Sequence, residues 1–556
     1  MKKITRFTAC LLILTMVIIL CGCGTSNPES SSSSAPAASN NSSSPAPSNA
    51  ASPSGGDTTP NSPSLTSAPD MDKPDVKFAD AVSFSLDDQT IPVVNPLNVA
   101  GSSIAIQWAY RLVYDTLVHI SEDFQYSAKL ATSWETDDWK TITFKLRDDV
   151  YFHNGDKFTA EDVVNTYNMA IANPGTISND RWNRVESVTA IDQYTVQMVL
   201  DQVNVDFLYD MAHPGASILN KASIDADPEK GVWNGTGAYM VSEVAPNDYT
   251  VFIRNDNYWK ELPITRQITL MTVPEVSARM MMLENDEIDG VIGGLSVFDT
   301  DRIVENTEDY TCYEYYPPGP AIIGFNLEDP IIGDWNFRMA VGSVIDREEM
   351  AYVSRGNYAI PETHGSWWGM VTQYYNENIQ IVPFDLDAAK TYLDASVYNG
   401  EEIEIIACFP DNIARAEYLQ NQLAKIGVTA IVTPLDPPAL ASRVAYGNNQ
   451  AQIISFLATW TPSATSARNI LLPGMYHNRW SYNNPIVNQM LEEASMIIDE
   501  KEREAHYMRI QEIVAEDPPG FNTHQMRNIF ACHKGVGGVL KFGDIFDLSY
   551  VYREIG

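Results

Sequence analysis

Between Leu130 and Ala170 the chain alternates apolar with polar residues, turns, and then changes to helical spacing, and no other stretch restricts the fold as tightly. Ile142, Phe144 and Leu146 alternate with Thr141, Thr143, Lys145 and Arg147, the period-two pattern of a strand with one buried face. Asn154-Gly155-Asp156 supplies a turn. Thr159 then opens Thr-Ala-Glu-Asp, with Asp162 three residues on. This capping-box arrangement predicts a helix carrying Val163, Val164, Tyr167 and Ala170 at helical spacing.

The string as a whole, LA-x-SW, an acidic polar turn, F-x-LR, V-x-FH-x-G and TAEDV, resembles the signature of the family 5 extracytoplasmic solute-binding proteins, the peptide- and nickel-type receptors of ABC importers. Further blocks similar to that family run from Gly235 to Val241, Asn255 to Trp259, Ile323 to Met350, Tyr418 to Val428 and Tyr482 to Glu504. The resemblance implies an α/β, two-lobed periplasmic-binding-protein-like (type II) fold with a hinge and an extra inserted subdomain in lobe one. It also implies capture of a solute by closure of the lobes, with permease subunits of an ABC transporter as partner.

Lys2, Lys3 and Arg6 precede an apolar run from Leu11 to Leu20, too short to span a bilayer and laid out like a secretory leader. Leu20-Cys21-Gly22-Cys23 resembles a lipobox, which makes Cys23 the expected lipid attachment; an ordinary leader that happens to contain cysteines is the alternative. From Gly24 to about Asp72 the chain is nearly all Ser, Ala, Pro, Asn, Gly and Thr. It cannot bury enough apolar surface to order itself, and as a tether its ends lie on the order of 35–42 Å apart. The expected organisation is a leader at 1–22, the lipidated cysteine and linker at 23–74, lobe one at 75–310 with its insertion at about 119–215, lobe two at 315–530, and a return to lobe one at 531–556. The protein is expected to act as a monomer, lipid-anchored on the outer side of a membrane.

The 36 Lys and Arg stand against 72 Asp and Glu, a formal net charge of −36, which argues against nucleic acid as a partner. Cys10 and Cys21 leave with the leader, so Cys312, Cys408 and Cys532 remain; buried single thiols are favoured over a disulfide framework, with one pair left open. No HExxH, CxxC, GxSxG or GxxxxGK[ST] occurs, so an enzyme is not expected, and neither a cofactor nor a protein-held metal. A surface hydrolase or a sensor without a transport role stays as an alternative.

Glu402 to Phe409 reads as a buried strand, Asn412 to Ile426 as an amphipathic helix stopped by Gly427, and Val428 to Val432 as a second strand, together a βαβ unit. Ile453 to Ala458 is a further strand, and helices are expected at Asp334 to Ile345, Asp385 to Ala395, Asn484 to Ile497 and Asp499 to Ala515. Ligands of such sheets bind beyond the carboxyl ends of the strands. In the first loop, Asp411 and Asn412 open a helix N-terminus with Arg415 one turn in, suited to a carboxylate, although either residue could simply cap the helix.

The second loop reads Ser455-Phe456-Leu457-Ala458-Thr459-Trp460-Thr461. Where peptide receptors of the resembling family carry an aspartate for the ligand's α-ammonium group, alignment puts neutral Thr459. Either another acid such as Asp411 or Glu314 takes over, or the ligand is not a free-amine peptide. Trp460 is the expected ligand-facing ring, with Phe456 and Thr461 beside it; a core aromatic is the alternative for Trp460. Trp367 and Trp368 are adjacent in a loop-like context where both rings should not fit one core face, so one is expected to line the cleft or a partner surface. Arg468, Arg479 and His477 are candidates for an anionic ligand group, against the plain reading of solvated charges. The ligand favoured is a short peptide, with a metal chelate or an oligosaccharide as the alternative.

Overall fold

The computed structural model describes residues 77–86, 96, 104–121, 124–172, 182, 184–444, 450–458, 461, 463–542 and 545–555. The expected leader, the expected tether with Cys23, and the loop residues Thr459 and Trp460 lie outside the described residues.

Where alternation was read in the sequence, a strand forms. Thr141–Leu146 buries Ile142, Phe144 and Leu146 and sits second in a four-stranded antiparallel sheet ordered 131–135, 141–146, 195–200, 185–192. The turn depends on Gly155, whose φ of +89° favours glycine. Helix Ala160–Ile171 follows, and the Asp162 carboxylate accepts hydrogen bonds from Thr159 N (2.9 Å) and Thr159 Oγ1 (3.0 Å), as the capping pattern predicts.

Two larger sheets organise the rest. One has seven strands, in the order 310–315, 528–533, 290–292, 81–86, 267–272, 249–254, 239–245. The other has six, in the order 359–361, 520–526, 321–325, 453–457, 403–407, 430–434. The βαβ unit is present: Ile403–Ala407 and Ala430–Pro434 pair in parallel on either side of helix Pro410–Lys425, and Gly427 takes φ +92° past the helix end. Strand Ile453–Leu457 pairs in parallel with Ile403–Ala407 on the other side. The six-stranded sheet is covered on both faces, which is why Ile403, Ile405 and Ile406 form a nearly continuous apolar run: Ile322, Ile406 and Ile454 join one apolar cluster, while Ile323, Ile405 and Ile453 join another. The four helices expected elsewhere in this half appear as Trp335–Ser343, Leu386–Asp394, Pro485–Ala494 and Glu500–Glu516, with Asp334, Asp385, Asn484 and Asp499 as their caps.

The chain passes between the two large sheets twice. Tyr310–Tyr315 in the seven-stranded sheet leads through 316–320 into Ala321–Phe325 of the six-stranded one, and Gly520–Met526 returns through Arg527 alone into Asn528–His533. The outgoing and returning strands are antiparallel neighbours in both sheets, with Tyr315 opposite Asn528 on one side and Ala321 opposite His524 on the other.

The four-stranded body is fastened to the seven-stranded one through Asp115, which is 1% exposed. Its carboxylate pairs with Lys129 (3.1 Å) and accepts from Thr236 Oγ1 (3.1 Å) and Trp259 Nε1 (2.9 Å). Such a carboxylate is tolerated only because every neighbour answers it.

One expectation changes here and one open alternative closes. Trp367 and Trp368 are both buried, 2% and 0% exposed, in one apolar cluster with Trp480, so the expectation that adjacent rings could not share a core is corrected. Trp367 meets Trp480 edge-on at 5.4 Å. The possible cysteine pair is also settled: Cys312 lies opposite Ala531 and Cys532 opposite Thr311, which puts the two side chains on opposite sheet faces, and all three described cysteines are free.

Replacing Asp115 with alanine leaves the half-buried Lys129 ammonium, the buried Thr236 hydroxyl and the Trp259 indole without their common acceptor, and we expect a loss of roughly 3 kcal/mol in unfolding free energy. Urea denaturation of the variant showing a loss below about 1 kcal/mol would mean that this junction does not hold the two bodies together.

Candidate ligand-binding site

The carboxyl ends of strands Ile403–Ala407 and Ile453–Leu457 bring together much of what the sequence nominated. Past the first strand, Phe409 takes φ +66°, and Pro410 starts the helix. Neither Asp411 nor Asn412 caps it, a correction to the expectation: Phe409 occupies the cap position and no side chain caps the helix. Asn412 turns inward and accepts from Arg415 (2.6 Å), whereas half-exposed Asp411 faces Arg355 at 3.5 Å.

Arg415 is fully buried. Its guanidinium also donates to Ser354 Oγ (3.1 Å) and to the Phe456 carbonyl (3.0 Å), so it staples both strand-end loops to helix Arg347–Arg355. Ser455 Oγ closes the same junction on the Asn412 carbonyl at 2.7 Å. Burial draws the Arg415 pKa down to about 10, with Asp411 opposing, so it keeps its charge at neutral pH.

Arg479 lays its guanidinium 4.4 Å above the half-buried Phe456 ring, and burial lowers its pKa. Next to it His477 is pushed to about pKa 3, by burial first and then by Arg479, so it is a neutral imidazole and not the cation that an anionic ligand would seek. His524, buried on the returning strand, is likewise held well below its ordinary value by burial and then by Arg415 and Arg355. Thr461 is half-buried, with its hydroxyl 3.4 Å from the Ser463 carbonyl.

Arg468 does not join this group. Both of its terminal nitrogens are spent on Glu492, at 2.8 and 2.9 Å, which corrects its candidacy for a ligand carboxylate. Glu314, the other acid considered for an ammonium group, pairs with Arg527 in the returning crossing. The floor at these strand ends is therefore built mainly of arginine, amide and hydroxyl groups, chemistry suited to a carboxylate or another anionic group.

Contacts between the six-stranded half and the remainder are seen at two places among the described residues. Beside the crossings, Arg355 donates to Asn528 Oδ1 (3.0 Å) and the Tyr358 hydroxyl to Asp301 Oδ1 (2.9 Å), around a cavity of about 20 Å³, room for roughly one water. At the far end the four-stranded body meets helices Pro485–Ala494 and Glu500–Glu516: Arg184 pairs with Glu492, and Val205 N donates to the Ser495 carbonyl (2.9 Å). Asp206 sits in this seam with Oδ2 sealed from solvent and without a hydrogen-bond partner. Burial lifts its pKa to about 6, against the pull of Arg503 and Arg468 and with help from Asp210.

Sequence reasoning missed Arg355, His524, Arg184, Asp206, Glu492 and Ser495. None of them belongs to a short pattern; each acquires its role from a residue far away in the chain.

The sequence profile of the bacterial extracellular solute-binding proteins, family 5 Middle, matches residues 125–481. The chain belongs to this family. Its members serve ABC transporters as solute-binding proteins, which bind rather than convert their ligands and work with permease subunits. The chain is similar to a nickel-binding periplasmic protein of Escherichia coli K12, 26% identical over 360 residues, covering 60% of this chain and 68% of that protein. It is also similar to the glutathione-binding protein GsiB of the same organism, 24% identical over 427 residues, covering 73% and 82%. Among solved structures, the ABC transporter substrate-binding protein CtaP from Listeria monocytogenes superimposes with a TM-score of 0.76 at 23% identity, over 86% of this chain and all of that one. The fold of this family 5 protein is accordingly the two-lobed one of periplasmic binding proteins. Among the described residues no helix is long and apolar enough to cross a membrane.

A carboxyl that titrates near 6 in the fold and at its ordinary 3.8 when unfolded weakens the fold fully above pH 6 and progressively less as the pH falls from 6 toward 4. Asp206→Asn should therefore stabilise the protein at pH 7.5 by about 3 kcal/mol. In melting curves that gain should fade between pH 6 and 4; a gain independent of pH would show that the carboxyl is not buried in its charged form.

Proposed function

We propose that this family 5 protein is a lipid-anchored receptor that captures a short peptide between two lobes and hands it to the permease of an ABC importer. In this reading lobe one comprises 75–310 and 531–556 with its insertion at 119–215, lobe two comprises 315–530, and Cys23 carries the lipid. The observation that supports a carboxylate-bearing ligand is the arginine floor at the strand ends, where Arg415 fixes the loops and Arg479 stacks on Phe456. A peptide offers that floor its carboxyl terminus, and Thr459, Trp460 and Thr461 are the proposed neighbours of its other end.

A second reading, a metal chelate, is favoured by neutral Thr459 at the position where an ammonium partner would be needed and by the similarity to the nickel-binding protein. A chelate whose carrier bears carboxylates would use the same floor without any free amine.

Thermal-shift titration separates the readings, because a ligand at 100 times its Kd adds about 2.7 kcal/mol to stability. We expect short peptides to raise the melting temperature, N-acetylated peptides to do so almost as well, and C-terminally amidated ones to lose at least about tenfold in affinity, the scale of one charge-assisted contact. A response confined to nickel–histidine complexes would replace the peptide with a chelate, and strong dependence on the free amine would require an acid that the arginine floor does not supply. For the anchor, mass spectrometry of the mature protein should find diacylglycerol on Cys23; an unmodified cysteine would rule it out.

A further inference from the structure

The two places where the halves touch are built differently. Near the crossings the backbone itself is continuous and Arg527 N donates to the Tyr358 carbonyl at 3.0 Å, so that end stays joined whatever the lobes do. At the far seam no covalent link exists and no apolar cluster spans the gap: the interior of the four-stranded body and that of the neighbouring helices form separate clusters among the described residues. What the seam offers instead is polar. Arg184 Nη1, Asp206 Oδ2 and Ser495 Oγ are sealed there without hydrogen-bond partners, each a desolvation cost that favours reopening.

One arrangement works against those costs. Glu492 is held in a bidentate grip by Arg468 of its own half, at 2.8 and 2.9 Å, so its side chain is already ordered before the gap closes. Its carboxylate then meets Arg184 of the four-stranded body, whose side chain is 18% exposed. Isolated surface pairs contribute little because two flexible side chains must be fixed at once; here one partner is fixed beforehand. We propose that the Arg468–Glu492–Arg184 triad is the clasp of the closed receptor, with Glu492 the positioning residue that sets how long the lobes stay shut and hence how long a ligand is retained. The inference rests on the reading of the protein as a closing receptor.

The test uses the full mature chain without ligand, carrying spin labels at exposed Ser187 and Glu504, and reads the distance distribution across the seam by double electron–electron resonance. Wild type should show a closed and an open population, and raising the salt from about 50 mM to about 1 M should favour the open one, since an ion pair is screened over that range. Glu492→Gln and Arg184→Ala should each raise the open-to-closed ratio about three- to tenfold and remove the salt response, and the double variant should do no more than either alone. Arg468→Ala should give a smaller increase, because it frees Glu492 without removing it. A similar melting temperature for Arg184→Ala and wild type keeps these effects distinct from unfolding. Two populations in wild type whose ratio ignores Glu492→Gln, or singles whose effects add in the double variant, would overturn the clasp and leave the closing receptor intact. A single distance at every salt concentration would overturn the clasp, and one that also stays unchanged when short peptides or nickel–histidine complexes are added would overturn the closing receptor.

Discussion

Everything in this molecule is arranged around one pair of antiparallel strands that belongs to two sheets. The ribbon formed by Tyr310–Tyr315 and Asn528–His533 continues, after a break at 316–320 on one strand and at Arg527 on the other, as Ala321–Phe325 and Gly520–Met526. Two covalent crossings side by side allow rotation about the break and little else. They also place the carboxyl ends of the parallel strands, with Arg415 and Phe456, on the six-stranded side of the gap between the halves.

The remaining attachments follow a gradient of strength. Asp115 is buried with an ammonium, a hydroxyl and an indole, and ties the four-stranded body to the seven-stranded sheet. Among the described residues the same body meets the other half through polar contacts, with several sealed atoms left unanswered. A junction with complete pairing resists opening, whereas one with incomplete pairing sits near balance and can be tipped by a ligand.

Electrostatics divides in the same way. The chain as a whole is strongly acidic, yet the strand-end floor concentrates arginine beside imidazoles that burial keeps neutral. Arg479, stacked on Phe456, is the guanidinium of this floor whose position is fixed by a ring and not by an acid. Arg415 contributes as a brace, its terminal nitrogens committed to Ser354, Asn412 and the Phe456 carbonyl, and this explains why a residue nominated for the ligand is found inside the wall.

Local chemistry was readable from the residues themselves: the capped helix after Thr159, the βαβ unit stopped by Gly427, and the helices beginning at Asp334, Asp385, Asn484 and Asp499 all rest on interactions within a few positions of one another, which sequence spacing determines directly. The chemistry gathered at the strand ends, with Arg415 and Phe456 on neighbouring loops, follows from the βαβ order of the elements, which the same spacing determines. The burial of Trp367 and Trp368 in one core, the spending of Arg468 on Glu492, the turn of Asn412 from cap to Arg415 partner, and the seam between Arg184 and Glu492 were decided by the tertiary structure alone. Each joins residues that only the folded chain brings within a few ångströms, and whether a charge meets solvent, a partner or a ligand depends on that neighbour and not on the residue's own identity.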